Sequence, residues 1–126
     1  MGKKVANKVR SQSGMDLTAV ISYEFDEKIP EKSFNSLKEC EEKADVIIDF
    51  SHPNNLDDIL SYALENKTKL VIATTGYSTE QLAKITDASK QIPIFQSYNT
   101  SYGVQMVTKI LRQVAKEFYE ADYDIE

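Results

Sequence analysis

The 126 residues are 41% hydrophobic and 28% charged, with four glycines, three prolines and one cysteine, Cys40, which is enough chain for one globular domain, too little for two ordinary ones, and unlike a disordered composition. A net charge of -5 and a pI near 4.9 argue against a general affinity for nucleic acid phosphates, and a lone cysteine excludes an internal disulfide and fits a reducing, cytoplasmic setting. The longest apolar runs, such as Val46-Ile47-Ile48 and Leu70-Val71-Ile72-Ala73, fall far short of the ~20 residues a membrane helix needs, and no apolar block with a small-residue cleavage site marks a secretory signal.

The first ten residues place Lys3, Lys4, Lys8 and Arg10 on the wet face of a helix whose dry face holds Val5, Ala6 and Val9. Ser13-Gly14 supplies the turn out of it, and the alternation of Leu17, Ala19 and Ile21 with Thr18, Val20 and Ser22 predicts a strand ending near Tyr23. Residues 24 to 43 are rich in Glu and Lys and contain Pro30; a short extended piece near Ser33-Phe34 and a helical turn through Leu37 and Cys40 are expected there. From Asp45 to Phe50 the run is continuously apolar between its aspartates, as in a strand covered on both faces.

Ser51-His52-Pro53 ends that strand, with Pro53 in the first turn of a helix carried by Leu56, Ile59, Leu60, Ala63 and Leu64 and closed at Asn66-Lys67. A second strand, Leu70 to Ala73, runs into Thr74-Thr75-Gly76-Tyr77, after which Ser78-Thr79-Glu80-Gln81 reads as a capping box for a helix through Leu82, Ile85 and Ala88. Pro93-Ile94-Phe95 is a third strand, Asn99 to Gly103 its exit loop, and Val104, Val107, Leu111, Val114, Ala115 and Phe118 mark a long amphipathic helix. A last strand is expected to begin at Asp122. Strand, loop and helix repeated with short connections predict an α/β fold with a parallel sheet.

In such sheets a ligand lies across the carboxyl ends of the strands, where helices begin. Three loops fall there: Ser51-His52-Pro53, Thr74-Thr75-Gly76 and Asn99-Thr100-Ser101. Each offers hydroxyl or amide side chains and backbone N–H groups suited to a phosphate, ribose or amide. Local helix capping is the competing explanation, because Ser, Thr and Asn dominate caps for purely local reasons. His52, the only histidine, reads as a surface loop residue. Asp45 and Asp49 lie four residues apart on one strand, roughly 13 Å, which is too far for a shared proton. With one Cys and one His there is no zinc-type spacing, and no Gly-x-Ser-x-Gly elbow occurs. The residues by themselves reach a nucleotide-sized pocket and no reaction.

Taken together, VIIDFSHP (Val46 to Pro53), LVIATTG (Leu70 to Gly76), NTSYGV (Asn99 to Val104) and DYDIE (Asp122 to Glu126) resemble, in order and spacing, the dinucleotide-binding domain of the dihydrodipicolinate reductases, also called 4-hydroxy-tetrahydrodipicolinate reductases. The likeness covers residues 44 to 126 well and 1 to 23 more loosely. It implies a Rossmann-like doubly wound parallel sheet occupying residues 1 to 126. Met1-Gly2 would correspond to the end of a glycine-rich phosphate loop whose preceding strand, normally central in the sheet, is absent. Without it, the edges of two apolar strands would be left unpaired. Glu126 would open the family's catalytic signature, so the protonating histidine, the substrate-holding lysine and the sheet through which these enzymes form homotetramers are expected beyond it, and no catalytic residue falls within the chain.

Carried over by position, the family's cofactor loop falls on Ala73, Thr74 and Thr75, beside the nicotinamide, with Thr75 also touching substrate. A second nicotinamide-side loop falls on Ser97, Tyr98, Asn99 and Thr100, and the residue beside the adenine and pyrophosphate on Phe50; Gly2 belongs to the phosphate loop. Two positions depart from the family pattern. Ala73 stands for a glycine, and Ser22-Tyr23 stands where an acidic residue often grips the adenine ribose, which leaves NADPH as well as NADH open as cofactor. The implied reaction is hydride transfer from NAD(P)H to a cyclic, unsaturated dicarboxylate in lysine and diaminopimelate synthesis, with no metal, nucleic acid or membrane partner. The nucleotide-binding domain of another dehydrogenase, or a domain that binds nucleotide without turnover, remain the alternatives.

Overall fold

A computed structural model describes residues 1–22, 32–97 and 101–120. Two compact units emerge, Met1–Gln96 and Ser97–Glu126. In the first, helix α1 (Gly2–Arg10) buries Ala6 and carries its lysines outward, as the charge pattern requires. Gly14, at φ +81°, makes the turn that follows. Strand β1 (Ala19–Ile21) pairs in parallel with β2 (Lys32–Phe34). The expected end of β1 at Tyr23 lies outside the described residues, as do residues 24 to 31.

A 3-10 turn over Leu37–Glu39 leads to β3 (Val46–Asp49), and a second over Pro53–Asn55 feeds α2 (Leu56–Asn66). Helix α2 ends where Lys67 takes a left-handed conformation, φ 53°. Strand β4 (Lys69–Ile72), helix α3 (Thr79–Ala88) and strand β5 (Ile94–Gln96) complete the unit. The anticipated capping box is present: Ser78 Oγ accepts from the Gln81 N–H at 3.2 Å and Gln81 Oε1 accepts from the Ser78 N–H at 3.0 Å.

Strands β3, β4 and β5 form one parallel sheet, with Ile47 opposite Leu70 and Leu70 opposite Ile94. Because side chains alternate along a strand, this register puts Ile47, Leu70, Ile72 and Ile94 on a single face. That face meets Leu56, Ile59, Leu60 and Ala63 of α2 and Ile85 and Ala88 of α3 in one core, where Leu56, Leu70, Ile72 and Ala63 are at most 1% exposed. The opposite face carries Val46, Ile48, Val71 and Phe95. Val46 and Ile48 are each 42% exposed, so the expectation of β3 covered on both faces fails. An apolar run cannot distinguish a strand buried on both faces from one with apolar side chains on an open face.

The strands fall into two sheets, β1-β2 and β3-β4-β5. β1 and β3 are not hydrogen-bonded to each other, and each has one edge unpaired among the described strands. In the second unit, α4 (Tyr102–Glu120) starts two residues before the predicted apolar stripe, and Val107, Leu111, Val114 and Phe118 of that stripe are exposed. The strand expected from Asp122 lies outside the described residues. Among the described residues, no helix is long and apolar enough to cross a membrane.

Candidate functional site

Parallel pairing brings the carboxyl ends of β3 and β4 side by side. Asp49 lies opposite Ile72, and the ladder's last rung is the Ala73 N–H donating to the Asp49 carbonyl at 2.9 Å. Phe50, half-buried, and Ala73, also half-buried, therefore leave the sheet together. Thr74 follows, buried to 5% exposure, and then Thr75 and Gly76 are exposed. Gly76 adopts φ +86°, a conformation that side chains other than hydrogen rarely take, and the nearest atom an added Cβ would meet is Pro53 Cγ at 3.9 Å. The β4 exit loop thus passes close over the start of the segment leading to α2.

Capping accounts for several polar groups in these loops. His52, exposed, caps the Pro53–Asn55 turn by accepting from the Asn54 N–H at its Nδ1, 3.3 Å, which agrees with the surface reading of that residue. In the next loop Ser78 provides the cap. Thr74 and Thr75 are therefore not employed as caps, and the local explanation for their presence lapses. Thr74 Oγ1 is, among the described residues, the buried side-chain oxygen with no hydrogen-bond partner. A buried hydroxyl left unsatisfied costs about 1–3 kcal/mol, and such a group at a sheet's carboxyl edge is the chemistry expected where a polar ligand atom completes the site.

Asp49 was a residue that sequence reasoning set aside. It is only 5% exposed, and both its oxygens are occupied: Oδ1 accepts from the Ser51 N–H at 2.9 Å and Oδ2 from the Tyr77 hydroxyl at 3.2 Å. The signal that could have found it is its position as the last residue of an apolar strand, where an Asp readily closes a turn onto the amide two residues on. A second bridge joins the same loops, with Gln81 Nε2 donating to the Pro53 carbonyl at 2.8 Å.

The other predicted positions are brought together only in part. Ser97 directly follows the last residue of β5, Gln96, which pairs with Ile72. Tyr98, Asn99 and Thr100 lie outside the described residues. Gly2, at the start of α1, is exposed, with open space around its α-carbon. Among the described residues no group of three or more His, Cys, Asp or Glu side chains is arranged to hold a metal ion.

The family model described as "Dihydrodipicolinate reductase, N-terminus" matches residues 1–100. A 4-hydroxy-tetrahydrodipicolinate reductase of Clostridium novyi is 41% identical over the whole of this chain and half of its own length. Its counterpart in Exiguobacterium sibiricum is 54% identical over 86 residues, covering 68% of this chain and 34% of the relative. One from another Exiguobacterium strain is 42% identical over 98% of this chain and 47% of its own. The chain spans about half the length, or less, of these curated relatives. With parallel strands, a threonine-glycine loop at their carboxyl edge and a match over most of its residues, this chain belongs to the dihydrodipicolinate reductase family, in the part that forms the family's N-terminus.

Proposed function

We propose that this chain binds a nicotinamide dinucleotide, NADPH or NADH, across the carboxyl edge of β3, β4 and β5, and that the whole protein uses it to reduce 4-hydroxy-tetrahydrodipicolinate to tetrahydrodipicolinate. The single observation that carries this reading is the buried, unpartnered hydroxyl of Thr74 at the exit of β4. It is followed at once by an exposed threonine and a positive-φ glycine, the conformation that lets a backbone come close to a ligand. The residues fit the group. Thr74, Thr75 and Ala73 would meet its nicotinamide side, Phe50 its adenine and pyrophosphate side, and Gly2 the phosphates; Ser97, Tyr98, Asn99 and Thr100 enter the proposal through the family resemblance alone. Thr75, exposed beside Thr74, would also reach the dicarboxylate substrate.

The cofactor supplies the hydride when bound. This chain's task is to fix the orientation of the reactive ring, which in hydride transfer is the protein's main contribution. Support also comes from the names of the relatives, all reductases of this one substrate. Ser22, closing β1 with its N–H on the Phe34 carbonyl at 3.0 Å, stands with Tyr23 where a carboxylate would favour NADH, so both cofactors are carried in the proposal.

The test is thermal unfolding of the purified chain in rising NADH and NADPH, with ATP as a control for a generic nucleotide site. A ligand at a hundred times its dissociation constant adds about 2.7 kcal/mol, which for a chain of this size raises the midpoint by about 10 °C. Stabilisation by a nicotinamide dinucleotide beyond that by ATP is the expected result. An unmoved midpoint with both cofactors at millimolar concentration, or equal shifts with ATP, overturns the reading.

A further inference from the structure

The two loops that carry Phe50 on one side and Thr74 with Thr75 on the other share one backbone rung at their base, from Ala73 to Asp49. Past that rung the β4 exit loop contains Gly76, whose lack of a side chain leaves it the most pliant point of the segment. A loop so built would not by itself hold a threonine hydroxyl to a fraction of an ångström. Tyr77 supplies what the backbone does not. Its ring is half-buried against the core of α2, α3 and β4, and its hydroxyl donates to Asp49 Oδ2 at 3.2 Å.

Asp49 is in turn fixed, at 5% exposure, by the Ser51 N–H on its other oxygen. A buried carboxylate requires such partners, and with both oxygens spent it is a fastening point rather than a ligand group. Gln81 repeats the arrangement one turn further on, tying the start of α3 to the Pro53 carbonyl while it completes the capping box. The two bridges run in the same sense, from the β4–α3 connection back to the β3–α2 connection.

We infer that Tyr77, acting through Asp49, is a positioning residue: it clamps the 73–77 loop onto the end of β3 and so sets the placement of Thr74 and Thr75 toward the dinucleotide. Its role toward the cofactor rests on the function proposed above. At 3.2 Å the bridge is a long O–H···O bond of ordinary strength, and its loss opens the loop by up to about a factor of ten.

Tyr77→Phe keeps the ring on the core and removes the hydroxyl that makes the bridge. Hydrogen exchange of the Ala73 amide, the bonded N–H at the base of the loop, is expected to quicken up to about tenfold in the free chain beyond any change at Leu70 to Ile72 of β4, which reports on the unit as a whole. Asp49→Asn preserves the acceptor for Ser51 and can donate from its amide to the tyrosine oxygen, so it is expected to retain slow exchange at Ala73. Exchange at Ala73 that is unchanged in Tyr77→Phe, or that rises only in step with β4, overturns the clamp. Affinity for NADH and NADPH is measured on the same proteins. Weaker binding by Tyr77→Phe, several-fold, is the expected result, and equal binding by wild type and variant overturns the positioning role alone. Absence of binding by the wild type overturns the dinucleotide reading, and the pair's role toward a cofactor with it, while the exchange comparison still decides whether the clamp exists.

Discussion

Replacing Thr74 with valine exchanges a buried hydroxyl for a methyl group of nearly the same shape, and the two consequences should have opposite signs. In the free chain Thr74 Oγ1 is buried without a partner, on a residue 5% exposed. Such an unsatisfied group costs about 1–3 kcal/mol, whereas an apolar atom in its place costs nothing and adds a little burial. Taking the lower end, because a hydroxyl can rotate toward the best available field, Thr74→Val is expected to stabilise the free chain by about 1 kcal/mol, a rise of about 4 °C in midpoint for a domain of this length. The same hydroxyl is proposed to bond the cofactor, and its loss should weaken dinucleotide binding by about threefold to tenfold. Thermal unfolding without ligand and a fluorescence titration with NADH and NADPH read the two effects separately. A destabilised variant would mean that the hydroxyl has a partner in the free chain. A stabilised variant with undiminished affinity would show that the hydroxyl is orphaned but does not face the ligand.

Gly76→Ala should cost about 1–2 kcal/mol of stability, because at φ +86° the strain lies in the backbone while the nearest contact, Pro53 Cγ at 3.9 Å, is comfortable; urea unfolding measures it, and a neutral substitution would mean that the loop readily takes another path. Ser78→Ala removes one half of the capping box and is expected to lower stability by about 1 kcal/mol, seen in the same assay, without altering affinity for either dinucleotide. Burial, and secondarily the neighbouring Cys40, hold the Tyr62 hydroxyl above its ordinary value of 10.0, and that hydroxyl donates to the Glu42 carbonyl at 3.2 Å. A pKa raised on folding favours the protonated form, so this contribution is full below pH 10 and is lost as the pH climbs through the higher folded value. The alkaline fall in stability should therefore be shallower in Tyr62→Phe than in the wild type, and parallel curves for the two proteins would refute the assignment.

The sequence by itself determined the order of the elements and the chemistry of their junctions. Local forces suffice for those. Pro53 starts a turn because its missing N–H is no loss there, Ser78 and Gln81 cap each other across three residues, and the apolar spacing of Leu56, Ile59, Leu60 and Ala63 leaves one face to bury. The threonine-glycine loop was likewise legible, and so was its place at a carboxyl edge, since parallel strands joined by helices leave no other end for it. What only the tertiary structure decided was the use of each polar group. A threonine in a loop reads equally as a cap or as a ligand contact until Ser78 is seen to hold the cap and Thr74 to be buried with none. Asp49, measured along its strand against Asp45, had no partner to offer; its partner is Tyr77, far away in sequence and brought alongside by the pairing of β3 with β4. The open face of Val46 and Ile48 was hidden for the same reason. Periodicity records which side chains are apolar, while burial depends on what packs over them, and hydrogen bonds between loops depend on strand register, which no single stretch of sequence contains.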